Sequence, residues 1–392
     1  MGKRGLLRLR LAMTRHRHYK DQDTTSLRGP RHPVIARSVA TWQSRIGRNK
    51  LMETIHVNVK DSYDVLVGPG LLSQSGALIK DVDSRIQKLL IVSDSNVAKL
   101  YKDALAGVLR ETGFEVFDFV FDAGEQSKNL ETVGRILGVL AENAFTRTDA
   151  VVALGGGVAT DIAGFSASIF LRGIKVFQMP TSLLAQVDAS VGGKTGVDLP
   201  EGKNLVGSFY QPSLFIIDTD LLASLDDVIF TEGMAEVIKY AFICDKNLFE
   251  RLQKKLTKSS PELPEIIAQC VRIKADIVSK DEHDNGLRQL LNFGHTIGHV
   301  IEARSNFTVS HGFAVAKGME RISRTSNVHD EIVSLLRVYD LPCEDPITSD
   351  QILQGVMNDK KKRGGNITIA FVNAIGAGEL RTMGLEEFGN YL

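Results

Sequence analysis

Two histidines, His295 and His299, stand four residues apart in "LNFGHTIGHVIE" (291–302). Four residues is just over one helical turn, so both rings project from the same face of a helix. That spacing suits two rings that share one metal ion. It suits equally two rings with different tasks in one pocket, or two core histidines with satisfied ring nitrogens. The pair alone leaves these alternatives open.

Other side chains of the same chemistry occur nearby in the sequence. Glu236 and Lys239 lie three residues apart in "GMAEVIKYAFI", where the apolar neighbours weaken the alternative of a solvated ion pair, and "SHGFAV" supplies His311. One carboxylate and two imidazoles make a three-ligand zinc site with an open position, typical of catalytic zinc. The motif H-E-x-x-H is absent, because Thr-Ile-Gly separates His295 from His299, so no protease-like glutamate base is predicted.

A glycine turn in "AVVALGGGVATDIAGF" follows a predicted strand and opens a predicted helix. Glycine lets the backbone approach a pyrophosphate, and a helix N-terminus offers free N–H groups. The motif G-x-G-x-x-G is absent, so a purely structural turn is the alternative. Asp94 in "IVSDSN", and Glu125 and Lys128 in "GEQSK", also follow strands. Their alternatives are a helix cap and a solvated loop, but three polar loops at carboxyl ends of strands favour a nucleotide site.

The segment "PTSLLAQVDASVGGKTGVDLPEGKNLVGSF" (180–209) is rich in glycine and has little regular period. It carries Asp188, Lys194, Lys203 and Asn204. An irregular segment of this length within a compact domain is usually functional. The lysines and the asparagine are suited to hold an anion, although surface charge is the alternative for any single lysine.

Strand and helix patterns alternate in the first part of the chain, which favours a parallel sheet with helices on both faces. The predicted strands are 89–94, 115–121, 150–156, 175–180 and 214–219, with helices at 129–144 and 158–170. After Asp220 helical spacing dominates, and a late hairpin is predicted. Its segments are helices at 230–243, 262–280 and 330–339, and strands at 367–374 and 378–380.

These patterns predict the α/β class with two domains and a ligand in the cleft between them. Residues 52–220 form a Rossmann-like, nucleotide-binding α/β domain, and residues 221–392 form a mainly α-helical domain that binds metal and substrate. Residues 1–51 hold thirteen Lys or Arg and two Asp. They are read as a basic nucleic-acid-binding arm, a transit segment or, the favoured interpretation, a disordered or non-native extension upstream of a true start at Met52.

The composition is that of a soluble globular protein, with 43% hydrophobic and 24% charged residues and a formal net charge of zero. No run of eighteen apolar residues occurs, so no transmembrane helix is predicted. The three cysteines have neither metal-binding nor disulfide spacing, which suits a reducing compartment. We therefore expect a cytoplasmic protein without a membrane or nucleic-acid partner.

The ordered motifs "LGGGVATDIAGFSAS", "PTSLLAQVDASVGGKTG", "GKNLVGSFYQP", "AEVIK" and "LNFGHTIGH" resemble those of the 3-dehydroquinate synthases, a family of sugar-phosphate cyclases, from Met52 to the C-terminus. The resemblance implies NAD, one divalent metal (zinc or cobalt) and a homodimer. It also implies conversion of 3-deoxy-D-arabino-heptulosonate 7-phosphate to 3-dehydroquinate and phosphate, in the shikimate pathway of aromatic amino acid biosynthesis. The implied steps are transient NAD-dependent oxidation, β-elimination of phosphate, re-reduction and intramolecular aldol closure.

The resemblance also implies a role for individual residues. The metal ligands would be Glu236, His295 and His311. The catalytic residues would be Asp188, Lys194, Lys239 and His299. NAD would lie among Asp94, Glu125, Lys128, Gly155, Gly156, Gly157, Val158, Asp161, Thr181, Ser182 and Lys203. Substrate would contact Lys274, Arg288 and Asn292, with its phosphate held by Asn204, by Lys360 (or Lys361) and by Arg172 reaching across a dimer interface.

Some positions depart from the family pattern: Thr160, Ser182, the turn "SLDDVI" (224–229) and Phe313, none of which removes a predicted metal ligand. Three rival functions are a cyclase making an inosose or valiolone, a metal-dependent alcohol or glycerol dehydrogenase, and a catalytically silent nucleotide-binding protein. The inosose and valiolone cyclases use substrates without a carboxylate, so Lys274, Arg288 and Asn292 favour the dehydroquinate reaction.

Overall fold

The computed structural model describes residues 52–306, 308–360 and 366–392, excluding the side chains of 358–360. The expectation for residues 1–51 lies outside this range. The first nine strands are β1 Glu53–Val57, β2 Tyr63–Gly68, β3 Lys88–Asp94, β4 Glu115–Phe121, β5 Ala150–Gly155, β6 Lys175–Pro180, β7 Lys194–Leu199, β8 Gly202–Phe209 and β9 Leu214–Asp218.

Seven of these strands form one sheet in the order β1-β2-β9-β6-β5-β3-β4, parallel except for the β1–β2 pair. The sheet confirms the five predicted strands. Every residue of β5 and β9 is buried, as expected for central strands covered on both faces. Strand β4 flanks one side of β3 and β5 flanks the other, which opens a crevice outside their carboxyl ends.

Four helices of at least eight residues pack against the sheet in this half. They are α1 Ser75–Val82, α2 Asp103–Glu111, α3 Leu130–Glu142 and α4 Gly157–Ile169. Buried Val133, Ile136 and Leu140 of α3 recur at three- and four-residue spacing and belong to a core cluster that includes strand residues such as Leu90 and Val151. The helix predictions at 129–144 and 158–170 are therefore confirmed.

The prediction of an irregular segment at 180–209 is wrong for its second half. Strands β7 and β8 pair antiparallel as a separate two-stranded ribbon. Glycines that hide the strand pattern make this pairing sterically possible. A Cβ on Gly207 would lie 2.1 Å from the carbonyl oxygen of Thr195, and one on Gly196 would lie 2.6 Å from that of Val206. The ribbon carries Lys194, Lys203 and Asn204.

Helices dominate the chain after β9, as predicted. They are α5 Asp227–Cys244, α6 Lys246–Leu252, α7 Leu263–Lys280, α8 His295–Arg304, α9 His311–Ile322, α10 His329–Val338, α11 Ser349–Lys360 and α12 Leu385–Gly389. The late hairpin is confirmed and longer than predicted, as β10 Asn366–Ala374 and β11 Ala377–Gly384. None of the described helices is long and apolar enough to cross a membrane. The domain boundary at 220/221 stays a prediction.

Candidate active site

Three helices bring one carboxylate and two imidazoles to a single point. Glu236 lies in α5, while His295 and His311 are the first residues of α8 and α9. The Nε2 atoms of His295 and His311 lie 3.3 and 3.4 Å from Oε1 of Glu236. One potential ligand atom from each residue lies within 4.8 Å of the other two. The structure thus brings together the three predicted metal ligands.

The side-chain atoms of Glu236, His295 and His311 are suited to bind a divalent metal. Glu236 has no exposed surface, and neither of its carboxylate oxygens has a hydrogen-bond partner, although Lys239 forms an ion pair with it. A buried carboxylate is costly unless its oxygens are paired or coordinate a metal. A carboxylate oxygen and two imidazole nitrogens are ligands that zinc and cobalt accept.

The second ring nitrogen of His295 and of His311, the two predicted ligand histidines, faces a hydrogen-bond acceptor. Nδ1 of His295 lies 3.2 Å from the carbonyl oxygen of Phe293, and Nδ1 of His311 lies 3.3 Å from Oε2 of Glu302. Burial lowers the pKa of His311, but the neighbouring carboxylates of Glu236 and Glu302 raise it overall to about 10. The two carboxylates therefore favour a positive charge at this point, either a proton or a metal ion.

Glycines allow α8 and α9 to approach closely enough for their histidines to converge. Gly294, before His295, adopts a left-handed conformation with φ of 81°, and a Cβ there would lie 2.7 Å from the carbonyl oxygen of Val315. A Cβ on Gly318 would lie only 1.9 Å from the carbonyl oxygen of Gly294. Gly294 and Gly318 are therefore packing requirements of the site.

His299 shares the predicted face of α8 but not the ligand group around Glu236. Its ring centroid lies 5.5 Å from that of His295 and 6.1 Å from that of His311. The ring remains accessible, whereas that of His295 is buried. The geometry therefore separates the two histidines of the opening motif, with the ring of His295 beside Glu236 and that of His299 near Glu302 and His311.

Asp188 connects a second group of charged side chains to Glu236. Its Oδ1 lies 3.0 Å from Nζ of Lys274 and 3.6 Å from Nζ of Lys239, and it accepts a hydrogen bond from Tyr240. Burial raises the pKa of Asp188, but the two lysines outweigh that effect and hold it well below its usual range. Lys239 therefore lies between two ionised carboxylates, Glu236 and Asp188.

Arg288 is a further buried cation near Asp188 and Lys274. It is only 2% exposed, and its guanidinium donates to the carbonyl oxygens of Gly192 (3.1 Å) and Glu282 (2.7 Å). Gly192 has a φ of 95°, in the left-handed region that favours glycine, and a Cβ there would lie 2.5 Å from Nη2 of Arg288. Half-buried Asn292 ends the same 3-10 turn, Leu287–Asn292, and exposed Lys194 forms an ion pair with Asp284.

Several predicted nucleotide residues lie at the carboxyl ends of β3, β5 and β6. Asp94 accepts hydrogen bonds from the backbone N–H groups of Asn96 and Val97 after β3. It therefore acts as a helix cap, the structural alternative to nucleotide binding. Its other oxygen would lie 3.3 Å from a Cβ on Gly155, so a side chain there would crowd the crevice. Gly156, Gly157, Val158, Thr181 and Ser182 surround the N-terminus of α4 at the same edge.

A polar cluster joins the next loop to the ribbon. Nζ of Lys128 lies 2.6 Å from Oδ2 of Asp161 and donates to Oδ1 of Asn204, also at 2.6 Å. Burial raises the pKa of Asp161 to about 6, an effect that Lys128 limits. Lys203 lies 3.7 Å from Glu125. The structure thus connects predicted cofactor residues with Asn204, a predicted phosphate ligand.

The structure does not join Arg172 to these groups, and it does not describe the side chain of Lys360. Arg172 is exposed in a left-handed conformation (φ 68°) after α4, and no hydrogen bond connects it to another predicted site residue in the described ranges. Lys360 ends α11, and its side chain and residue Lys361 lie outside the described part of the chain.

Glu302 is a buried residue at the site that the sequence analysis did not single out. It lies in α8, is 3% exposed, and accepts hydrogen bonds from His311 and from Lys203 (3.2 Å). Its signal was the spacing of seven residues after His295 and three after His299, which places it on the same helical face.

Comparisons with known proteins decide the family. The family model described as 3-dehydroquinate synthase N-terminal matches residues 118–232, and the C-terminal model matches residues 233–362. The 3-dehydroquinate synthase of Clostridium kluyveri is 42% identical, covering 87% of this chain and 98% of that protein. The Streptococcus gordonii enzyme is also 42% identical, over 84% of this chain and 96% of its own. The chain belongs to the 3-dehydroquinate synthase family.

Solved structures of related cyclases share the fold with this member of the 3-dehydroquinate synthase family. The 2-epi-5-epi-valiolone synthase of Streptomyces hygroscopicus, solved with NAD+ and Zn2+, has a TM-score of 0.75 and 28% identity, covering 84% of this chain and 95% of that one. A 2-deoxy-scyllo-inosose synthase has a TM-score of 0.74 and 24% identity, covering 86% and 99%. They confirm the Rossmann-like α/β fold with a helical C-terminal part.

Proposed function

We propose that this chain is a 3-dehydroquinate synthase, a carbon–oxygen lyase that converts 3-deoxy-D-arabino-heptulosonate 7-phosphate to 3-dehydroquinate and phosphate. One observation carries the proposal: the Glu236, His295 and His311 group lies beside buried cations, Lys239 and Lys274, with Arg288 behind them. Family membership supplies the reaction. The cations supply the partners that an anionic substrate needs next to a metal.

The cofactors are NAD and one divalent metal, zinc or cobalt. Bound together, they supply reversible hydride transfer and polarisation of the substrate oxygen that is oxidised. Glu236, His295 and His311 hold the metal. The glycine turn at Gly155–Gly157 and the N-terminus of α4 receive the pyrophosphate, and the remaining predicted cofactor residues line the same crevice. The valiolone synthase solved with NAD+ and Zn2+ supports this pairing.

The protein's own residues bind and orient a substrate with two anionic ends. Lys274, Arg288 and Asn292 take the carboxylate, and Asp188 keeps Lys274 in place through the 3.0 Å ion pair. Lys194 and Lys239 contact the sugar between its ends. The phosphate is held by Asn204 and Lys360 of the same subunit and by Arg172 of a second subunit. Arg172 is exposed, so it is free to reach across an interface.

His299 is the residue that transfers protons in the proposed mechanism. Its accessible ring lies within 6.1 Å, centroid to centroid, of both proposed ligand histidines, so it reaches a group bound there without coordinating the metal itself. A neutral imidazole has one donor and one acceptor nitrogen, which suits a relay. His299 is therefore the polar, proton-relaying residue of the proposed mechanism.

The assembly is a cytoplasmic homodimer. Three free cysteines suit a reducing compartment, and Ile169 and Leu171, both exposed beside Arg172, supply apolar surface for a second copy. Sedimentation of the purified protein measures the mass, and a monomer that turns over at full rate would contradict the role of Arg172 across an interface.

Phosphate release from purified protein tests the function. We expect turnover of 3-deoxy-D-arabino-heptulosonate 7-phosphate, loss of turnover with a chelator, and recovery when zinc or cobalt is added back. Absorbance of the reduced nicotinamide should not accumulate, because the same NAD returns the hydride. A preference for sugar phosphates without a carboxylate would instead indicate an inosose or valiolone cyclase, and net NADH from an alcohol would indicate a dehydrogenase.

A further inference from the structure

Glu302 has no part in the proposed reaction, yet its carboxylate is buried beside the metal group, which is the set of proposed ligands Glu236, His295 and His311. Oε2 lies 3.3 Å from Nδ1 of His311, and Oε1 lies 3.2 Å from Nζ of Lys203. A glutamate that is 3% exposed persists only with partners for its charge. Both of its partners belong to the proposed active site, so Glu302 connects a metal ligand with a cofactor residue.

The contact with Glu302 fixes which nitrogen of His311 is free. A carboxylate only accepts hydrogen bonds, so Nδ1 of His311 must carry the proton. The lone pair of the neutral ring is then on Nε2, the atom 3.4 Å from Glu236. A carbonyl oxygen does the same for His295, whose Nδ1 faces Phe293. His311 differs in that its partner is charged, which raises its basicity as a ligand.

Direct coordination by Glu302 is the competing role. His299, Glu302 and His311 form a second group whose potential ligand atoms lie within 4.8 Å of one another. An ion there would take the carboxylate that Lys203 already neutralises. It would also leave both buried oxygens of Glu236 without a hydrogen-bond partner. The group around Glu236 accounts for more of the buried polar atoms.

We propose that Glu302 is a positioning residue of the metal site, which orients His311 in the tautomer that binds the ion while Lys203 holds the carboxylate in place. The inference rests on the proposed function only in requiring a metal at Glu236, His295 and His311. Because Lys203 belongs to β8 and Glu302 to α8, the same contact links the ribbon to the metal group.

Zinc affinity of the metal-free protein tests this role without turnover. Glu302→Leu removes the acceptor at similar size, and Glu302→Gln keeps an acceptor oxygen without the charge. Competition with a chromophoric chelator should show zinc binding weakened about 10- to 100-fold in E302L, and less in E302Q. The absorption spectrum of bound cobalt should keep its shape in E302Q, because the ligands are unchanged. If the wild-type protein binds zinc but does not turn over the substrate, the proposed function is wrong, and the role of Glu302 in zinc binding is still tested by the variants.

The controls separate positioning from folding and from ligation. Glu320→Gln changes another buried carboxylate, on the same helix as His311 but paired with Arg324, and should leave zinc affinity unchanged. Glu236→Gln removes a proposed ligand and sets the scale for a lost ligand. Circular dichroism of the metal-free variants checks folding, and E302Q decides the matter if E302L does not fold. Wild-type zinc affinity in both Glu302 variants would overturn the proposal. So would a loss in E302Q as large as in E236Q with an altered cobalt spectrum, which would make Glu302 a ligand.

Discussion

Single charged side chains set the electrostatics of the proposed site, and Lys239 is the clearest case. Its ammonium forms an ion pair with Glu236 and lies 3.6 Å from Asp188. Burial lowers the pKa of Lys239, but the two carboxylates outweigh that effect and raise it above its usual value. A charged lysine thus lies between Asp188 and Glu236, the proposed metal ligand, and leaves neither carboxylate uncompensated.

Lys274 behaves in the opposite way and gives the reaction a pH dependence. Burial lowers the pKa of Lys274 to about 8, even with Asp188 beside it. The ammonium is therefore charged below that pH and loses its proton above it, so binding of the substrate carboxylate should weaken as the pH rises through 8. We expect kcat/KM to fall on the alkaline side, with the loss mainly in KM, when measured between about pH 6.5 and 9.5.

Two variants on α7 test this assignment. Lys274→Met should lower kcat/KM roughly 10- to 100-fold at neutral pH, since a hydrogen bond to a charged group contributes about 1.5–3 kcal/mol. Its residual activity should lose the alkaline limb. Lys280→Gln removes an exposed lysine of the same helix, paired with Asp276, and should keep the wild-type profile. An unchanged alkaline limb in Lys274→Met would show that another group titrates.

The family resemblance, which rests on residue types and their spacing in the sequence, predicted which side chains would lie together at the proposed metal site. Glu236, His295 and His311 converge as the family resemblance implied. Spacing alone could not divide the tasks of His295 and His299, because both lie on one helical face. That division depends on the crossing of α8 and α9. Glu302 was not predicted as a site residue, because a glutamate in a helix is usually a solvated surface charge and the sequence does not show that this one is buried.

At the scale of elements, the close crossing of two helices determines the metal group. The α8 and α9 backbones approach where Gly318 faces Gly294, and their first residues are His295 and His311, the proposed ligand histidines. The element types were predictable, since strand runs and helical periods are strong signals. The β7–β8 ribbon was not, because glycines at its pairing positions erase the alternation of apolar and polar residues.

Gly318→Ala tests the crossing. Its Cβ would lie 1.9 Å from the carbonyl oxygen of Gly294, so α9 must shift away from α8 and carry His311 with it. We expect a stability loss of about 1–3 kcal/mol, typical of overpacking, and weaker zinc binding. Chemical denaturation and chelator competition measure the two effects.

Gly138→Ala is the matched control, because a Cβ on this α3 residue meets no atom within 4 Å. Replacing this helical glycine should stabilise the protein by roughly 0.5–1 kcal/mol without changing zinc affinity. Equal zinc affinity in Gly318→Ala and wild type would show that the two helices can separate without moving the ligands.

At the scale of the whole molecule, the proposed metal lies where three helices meet and where the ribbon reaches them through Lys203 and Glu302. An ion held by α5, α8 and α9 binds the folded chain and not the unfolded one. Mass action then stabilises the fold by about 2.7 kcal/mol when free zinc exceeds its dissociation constant 100-fold. Heating the metal-free protein with increasing zinc should raise the melting temperature by a few degrees, continuing to rise with zinc concentration.

Glu236→Gln separates this linkage from unspecific effects of zinc. The variant keeps the size of the side chain but removes the charge that the ion and Lys239 share, so its melting temperature should not respond to zinc. NAD offers an independent comparison, because its proposed site lies at the carboxyl ends of β3, β5 and β6, and it should still raise the melting temperature of the variant. A zinc response of equal size in both proteins would place the ion elsewhere, since the lost carboxylate is the ligand through which α5 joins the other two helices.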